Sequence, residues 1–242
     1  MIDVKTLIIG VGEIGSSLYS LLSPVYPTWA WDIDPKLNKG DYLNIPNKFD
    51  VFHICIRYSD NFLDIVKGYV DKYQPQSINV CTTVPPGITE KIGPNAVHST
   101  TRGLHPNLQE GLLKITKHIG GPQAVNFADY FSNVGIISYC HNQSRTTELL
   151  HILNNVHYGI NLIFADEAAK LCRDYGVDYY DYMKYCETNN AGFSRLGHST
   201  KVRTIATPPG GRIGGHCVVQ SANLIPEEKR GKFVDSLAKY NN

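Results

Sequence analysis

Short apolar runs alternate with amphipathic stretches through the first 140 or so residues. Thr6–Ile9, Thr28–Trp31, Phe49–Ile56, Gln76–Val84, Ala96–Thr100, Lys117–Gly121 and Gly135–Tyr139 read as strands. Phe49–Ile56 is near-continuously apolar rather than alternating, as a buried parallel strand is. Helical spacing fills Ser16–Leu22, Asn61–Lys72 and Pro122–Ser132, with a short helix beginning near Ile88. Lys36–Lys48 is a polar loop with little pattern. Strands alternating with helices predict an α/β fold with a doubly wound, mostly parallel sheet.

The pattern changes near Asn142. From Ser144 to about Tyr175 there is no proline and one glycine, Gly159, while Leu149, Leu150, Leu153, Val156, Ile160, Ile163, Phe164, Ala168 and Leu171 recur at helical spacing. Gly176 supplies a stop. A single helix of about 30 residues is therefore expected to open an α-helical second domain. The division expected is 1–142 for the sheet domain and 143–242 for the helical one. Asp178–Glu187 is a further helix, Asn189–Gly215 a long polar loop, and His216–Leu224 and Pro226–Tyr240 a closing helical pair.

Composition narrows the function. The 242 residues suffice for a sizeable core, and a net charge of +1 gives no reason to expect nucleic acid or an anionic membrane as partner. No apolar run approaches the ~20 residues that span a bilayer, and the first residues lack a signal peptide's charged and apolar regions, so none is expected. The six cysteines lack CxxC or Cys/His zinc spacing, so a reduced, cytoplasmic setting and no metal are expected. Cys55, Cys81, Cys140 and Cys172 lie in apolar patterns and read as buried fillers; Cys186 is undistinguished.

The first strand runs straight into Gly10-Val11-Gly12-Glu13-Ile14-Gly15. In such a Rossmann-type turn the first glycine permits the bend, the second lets the backbone approach a diphosphate, and the third lets helix and strand pack closely. The phosphates would sit on N–H groups at the helix N-terminus. Asp32, ending the second strand, stands at the separation of a carboxylate that binds a ribose 2′-hydroxyl, with Asp34 as the fallback. A carboxylate would repel a 2′-phosphate, so NAD is expected rather than NADP.

Other residue types point to chemistry at the same sheet edge. Thr82-Thr83-Val84-Pro85-Pro86-Gly87 ends the fourth strand, where a Thr hydroxyl reaches nicotinamide or substrate, or merely caps a turn. Glu148, His151 and Asn155 share one face of the long helix. Imidazole titrates near neutrality, so His151 is a candidate proton acceptor. Cys217 follows a glycine-rich loop at an expected helix N-terminus, where a thiolate is favoured. Arg102 and His105, after the fifth strand, and Arg195, Arg212 and Gly214 in the long loop are candidates for gripping an anionic substrate.

With these residues in hand, the chain resembles the UDP-glucose/GDP-mannose dehydrogenase family within the 6-phosphogluconate dehydrogenase-like group. The likeness is carried by Gly10–Gly15, Asp32-Ile33-Asp34-Pro35, Thr83-Val84-Pro85-Pro86-Gly87, the Glu148/His151/Asn155 helix and Gly214-Gly215-His216-Cys217. It implies NAD-dependent oxidation of a sugar alcohol through an aldehyde, captured by Cys217 as a thiohemiacetal, to a carboxylate. It further implies that Asn155 holds water or a hydroxyl in the oxyanion region, that Thr83 lies near the nicotinamide, and that Lys36 contacts the cofactor beside Asp32. A homodimer formed through the long helix is implied as well. Three positions depart from the pattern. His151 stands where the family has a lysine, Ser221 stands where it has an aspartate, and the C-terminal nucleotide-binding domain has no counterpart in these 242 residues. Two alternatives stay open: a non-catalytic relative that binds a dinucleotide or a protein, and a two-electron hydroxy-acid dehydrogenase with His151 as base.

Overall fold

The structure, a computed structural model, describes residues 2–41, 44–104, 106–214 and 217–241. It divides into two compact units, Met1–His151 and Ile152–Asn242.

The first unit is built on a seven-stranded sheet: β1 (Thr6–Ile9), β2 (Thr28–Trp31), β3 (Val51–Ile54), β4 (Ser77–Val80), β5 (Ala96–Ser99), β6 (Lys117–Gly120) and β7 (Ser138–His141). Its order is β2-β1-β3-β4-β5-β6-β7. All neighbours are parallel except β5 and β6, which pair antiparallel. The expected doubly wound, mostly parallel sheet is therefore present.

Side chains alternate across each strand, so β1 serves two cores at once. Leu7 and Ile9 join Phe52, Ile54, Ile78 and Val80 on one face, under Phe62 and Val66 of α2 (Phe62–Tyr73). Ile8 faces the other way, with Leu18 and Leu22 of α1 (Glu13–Leu22) and with Phe127 and Phe131. The last two belong to a helix over Ala124–Ser132. Covers on both faces explain the near-continuous apolar character of the β3 run.

Several elements differ from expectation. β1 and β2 have the expected bounds, β3 to β6 are shorter than their runs, and β7 starts three residues later than expected and extends past Tyr139 to His141. The helix expected near Ile88 is a single 3-10 turn, Thr89–Lys91. A helix missing from the sequence reading, α3 (Leu108–Lys114), precedes β6; Leu108 and Leu112 are buried on its inner side. The helix over Ala124–Ser132 is α4.

The long helix α5 (Ser144–Asp174) has the expected length, 31 residues, and begins in the first unit. It ends at Gly176 (φ +67°), where the Val177 N–H reaches back to the Cys172 carbonyl at 2.8 Å, a glycine-stopped C-terminus. Not all its apolar positions are buried. Leu149, Leu150, Leu153, Phe164 and Leu171 are exposed, because the apolar residues cover more than the one face that its unit packs.

In the second unit α6 (Tyr179–Arg195) runs through residues expected to be loop, capped by the Asp178 carboxylate on the Tyr180 N–H at 2.9 Å. Apolar periodicity fades after Cys186, but no proline interrupts the helix before Gly197, and α6 tolerates Gly192 within it. The remaining loop is strapped to α6: Asn190 exchanges two 2.8 Å hydrogen bonds with the Arg203 backbone. α7 (Val218–Asn223) and α8 (Lys232–Lys239) follow. Ile152, Val156, Ile213, Ala222, Leu237 and Ala238 form this unit's core. A Cβ on Gly159 would lie 2.6 Å from both Leu237 and Val218, so α5 needs a glycine where α7 and α8 press against it. All six cysteines are thiols; Cys55, Cys140 and Cys172 are half-buried rather than buried, whereas Cys186 is buried.

Candidate functional site

The cofactor turn has the local geometry that its glycines require. Gly10 has φ +93°, and a Cβ there would sit 2.8 Å from the Cys55 backbone. A Cβ on Gly15 would lie 1.9 Å from the Gly10 carbonyl oxygen, so strand and helix approach as closely as a glycine allows. Gly12 differs: a Cβ there would meet nothing within 4 Å. Its glycine thus answers no packing need of the protein, and the space in front of it suits a ligand that must reach the backbone. No side chain caps α1 at Gly12, so its first turn presents backbone donors and the positive end of the helix dipole outward. Exposed Glu13 and half-buried Ile14 occupy that first turn.

Asp32 is tied to the same turn. Its Oδ2 accepts the Val11 N–H at 2.7 Å and its Oδ1 the Asp34 N–H at 3.1 Å. The Asp32 N–H in turn donates to Asn38 at 2.7 Å. A carboxylate retains lone pairs after two such bonds and can accept a vicinal diol as well. Asp34 caps the 3-10 turn Pro35–Leu37 by accepting the Lys36 N–H at 3.0 Å, which leaves the exposed Lys36 side chain projecting from it. The residues present therefore fit an adenine dinucleotide with an unphosphorylated ribose.

At the C-terminal edge of β4, half-buried Thr83 stands with its Oγ1 3.5 Å from His151 Nε2, at the long limit of a hydrogen bond. His151 is 5% exposed. Its proton affinity is lowered to a pKa of about 4, by burial first and then by the charges of Lys117 and Arg102. It is a neutral imidazole at physiological pH. The backbone of Thr101 lies alongside, outside hydrogen-bond geometry with Nδ1.

Two neighbours support this arrangement. His98 places Nδ1 3.0 Å from the Thr147 hydroxyl and Nε2 3.2 Å from the Thr82 carbonyl, which tethers α5 to the ends of β4 and β5. Burial holds His98 neutral also. Glu148, fully buried, accepts the Gly87 N–H at 2.5 Å and the Thr89 N–H at 2.8 Å. The Pro85-Pro86-Gly87 turn is thereby clamped to the first turns of α5. Burial raises the Glu148 carboxyl, against the pull of these donors.

Lys117 and Glu148's clamping role were not found by sequence reasoning. Lys117 is 2% exposed, donates to the Thr100 carbonyl at 3.0 Å and lies 5.3 Å from the Phe131 ring centre. Its signal was a lysine within an otherwise buried strand. Arg102 is partly committed, its Nη2 donating to the Thr116 carbonyl at 2.5 Å. His105 lies outside the described residues, as do Gly215 and His216 beside Cys217.

The second unit carries the remaining candidates. Cys217 is exposed and immediately precedes α7. Half-buried Asn155 donates through Nδ2 to Ser221 Oγ at 3.0 Å, and Ser221 Oγ donates to the Cys217 carbonyl at 2.6 Å. Arg212 is exposed, with Nη2 3.4 Å from the Asn241 carbonyl, and Gly214 is open to solvent. Arg195 ends α6 on the surface, in a helix rather than the loop expected. Among the described residues no cluster of three or more metal-ligating side chains occurs, and no helix is long and apolar enough to cross a membrane.

No known-family profile matches the sequence. It is 24% identical to a UDP-N-acetyl-D-mannosamine dehydrogenase of Methanococcus vannielii, over 98% of this chain and 65% of that protein. The chain thus spans less than two thirds of that relative's length. Among solved structures, a UDP-D-ManNAc dehydrogenase from Pyrococcus horikoshii superposes with a TM-score of 0.79 at 18% identity, covering 98% of this chain and 68% of the other. A 3-hydroxyisobutyrate dehydrogenase from Mycobacterium tuberculosis superposes with a TM-score of 0.71 at 11% identity, covering 99% and 93%. The resemblance to nucleotide-sugar dehydrogenases read from the motifs is borne out by the Methanococcus vannielii relative, and the fold is that of the two solved structures.

Proposed function

We propose that the protein is an NAD-dependent dehydrogenase that oxidises a hydroxyl of a nucleotide sugar. The observation that carries this reading is the space before Gly12, bounded by an uncapped helix N-terminus and by an Asp32 carboxylate bonded to the same turn. Main-chain donors there suit a diphosphate, and Asp32 suits a ribose diol while repelling a 2′-phosphate. NAD, when bound, supplies the hydride acceptor.

The chain's own residues then bind, orient and capture. Thr83 and Lys36 are the further cofactor contacts. His151, neutral and beside Thr83, accepts a hydrogen bond from the substrate hydroxyl; a pKa of about 4 makes it a better orienting group than general base. Cys217 supplies the thiol that adds to an aldehyde carbon, and Asn155 the amide that hydrogen-bonds the resulting oxygen. Arg102, His105, Arg212 and Gly214 are assigned to the anionic substrate. The names of the relatives support the nucleotide-sugar class.

Isothermal titration with NAD and NADP, followed by NADH absorbance against UDP-sugars, their N-acetylated forms and small hydroxy acids, tests the reading. Binding of NAD in preference to NADP, with turnover of a UDP-sugar, is expected. No binding of either cofactor ends it, and turnover of hydroxy acids alone transfers the chain to a two-electron chemistry.

A further inference from the structure

The second unit holds a hydrogen-bond relay that neither the motifs nor the relatives' names assign. Ser221 Oγ lies 2.6 Å from the Cys217 carbonyl oxygen and 3.0 Å from Asn155 Nδ2. A hydroxyl owns one proton, and a carbonyl oxygen can only accept. The proton is therefore committed to Cys217, and Oγ must accept from Asn155. That fixes which way the Asn155 amide faces: its NH2 group turns toward Ser221 and its Oδ1 away. The Ser221 N–H also donates to the Cys217 carbonyl at 3.0 Å, so one residue delivers two donors to the peptide oxygen of Cys217. Ser221 is 1% exposed, and its neighbour Ala222 is fully buried. Water cannot take the place of its hydroxyl without opening that packing. Neither Ser221 nor Asn155 ionises, so the relay holds at any working pH.

We propose that Ser221 is a positioning residue that sets the orientation of Asn155 and the placement of Cys217, and thereby the reaction of the thiol. The inference rests on the reading of Cys217 and Asn155 given above. An acidic side chain would accept from Asn155 but, ionised, could not donate to the Cys217 carbonyl. Serine does both, which is its specific contribution at this position.

The test is steady-state kinetics of Ser221→Ala and Ser221→Thr with NAD and the best UDP-sugar, together with 15N NMR of the Asn155 side-chain amide. Ser221→Ala is expected to lower kcat about tenfold or more with KM within about twofold, the signature of a contact that matters after binding. Ser221→Thr, which keeps the hydroxyl, restores kcat. The Asn155 amide resonances shift in the alanine variant and stay in place in the threonine variant. Should alanine not fold, Ser221→Cys, a weaker donor of similar size, is read in the same way. A Ser221→Ala enzyme with wild-type kcat, or unmoved Asn155 resonances, overturns the proposal. So does a loss that threonine does not rescue and that tracks a lowered melting temperature. A wild-type protein that forms no NADH overturns the dehydrogenase reading beneath it, and the NMR arm then still decides whether the relay exists.

Discussion

Gly12 and Gly15 separate what the cofactor needs from what the fold needs. A Cβ at Gly12 would have open space for 4 Å, and the residue's φ of −66° and ψ of −163° are accessible to alanine. Gly12→Ala should therefore cost about 1 kcal/mol at most, from the weaker N-cap. For a chain of this size that lowers the melting temperature by about 2–4 °C. The added methyl nevertheless occupies the face that the diphosphate must approach. Losing one main-chain hydrogen bond to a charged oxygen costs about 1.5–3 kcal/mol, a fall in NAD affinity of roughly 10- to 150-fold. Gly15→Ala has the opposite profile. Its Cβ would lie 1.9 Å from the Gly10 oxygen and 3.2 Å from Ile8, so α1 must move off β1. Such overpacking costs about 1–3 kcal/mol or more and should appear chiefly as lost stability. Thermal melts monitored by circular dichroism, with and without NAD, and titration calorimetry distinguish the two. Gly12→Ala binding NAD like the wild type would refute the placement of the diphosphate. Gly12→Ala melting as early as Gly15→Ala would show that the glycine serves the fold alone.

Three further outcomes follow from the buried polar groups and the exposed helix face. His151 has a folded pKa near 4 against about 6.5 unfolded, so between those values the unfolded chain takes the proton and the folded one does not. Stability should be complete above about pH 6.5 and fall by roughly 3 kcal/mol as pH drops toward 4, with His98 adding in the same direction. Raised Glu148 acts in the opposite sense, so melting temperature against pH is compared between wild type and His151→Gln; identical slopes would contradict the assignment. Glu148→Ala, which strands the N–H groups of Gly87 and Thr89, should destabilise by about 1–3 kcal/mol, and Glu148→Gln by less, as urea titration would show; equal losses would mean that packing rather than hydrogen bonding matters. Leu153, Phe164 and Leu171 are exposed at spacings of 11 and 18 residues, close to whole turns, and so form one stripe on α5. Sedimentation should give a dimer that Phe164→Glu with Leu171→Glu converts to monomer, while a wild-type monomer would remove the dimer from the reading.

What local chemistry dictates was legible in the residues themselves. A near-continuous apolar run such as Phe49–Ile56 announces a strand covered on both faces, the Gly10/Gly12/Gly15 spacing announces a close strand–helix turn, and a proline-free stretch ending at Gly176 announces the long helix, 31 residues in the structure. Asp32 belongs to the same class, since turn and carboxylate are fixed by one strand–helix–strand unit, whereas its bond to Val11 emerges only in the structure. What depended on distant packing was not legible. The antiparallel β6, the helix α3, and the burial of Lys117 are set by which surfaces meet across the sheet. The depressed pKa of His151 is likewise a product of neighbours far away in sequence. The role of Ser221 shows the difference most clearly. Read in line it is a serine in place of an acid, and only the meeting of α5 with α7 reveals that its one proton decides how Asn155 faces.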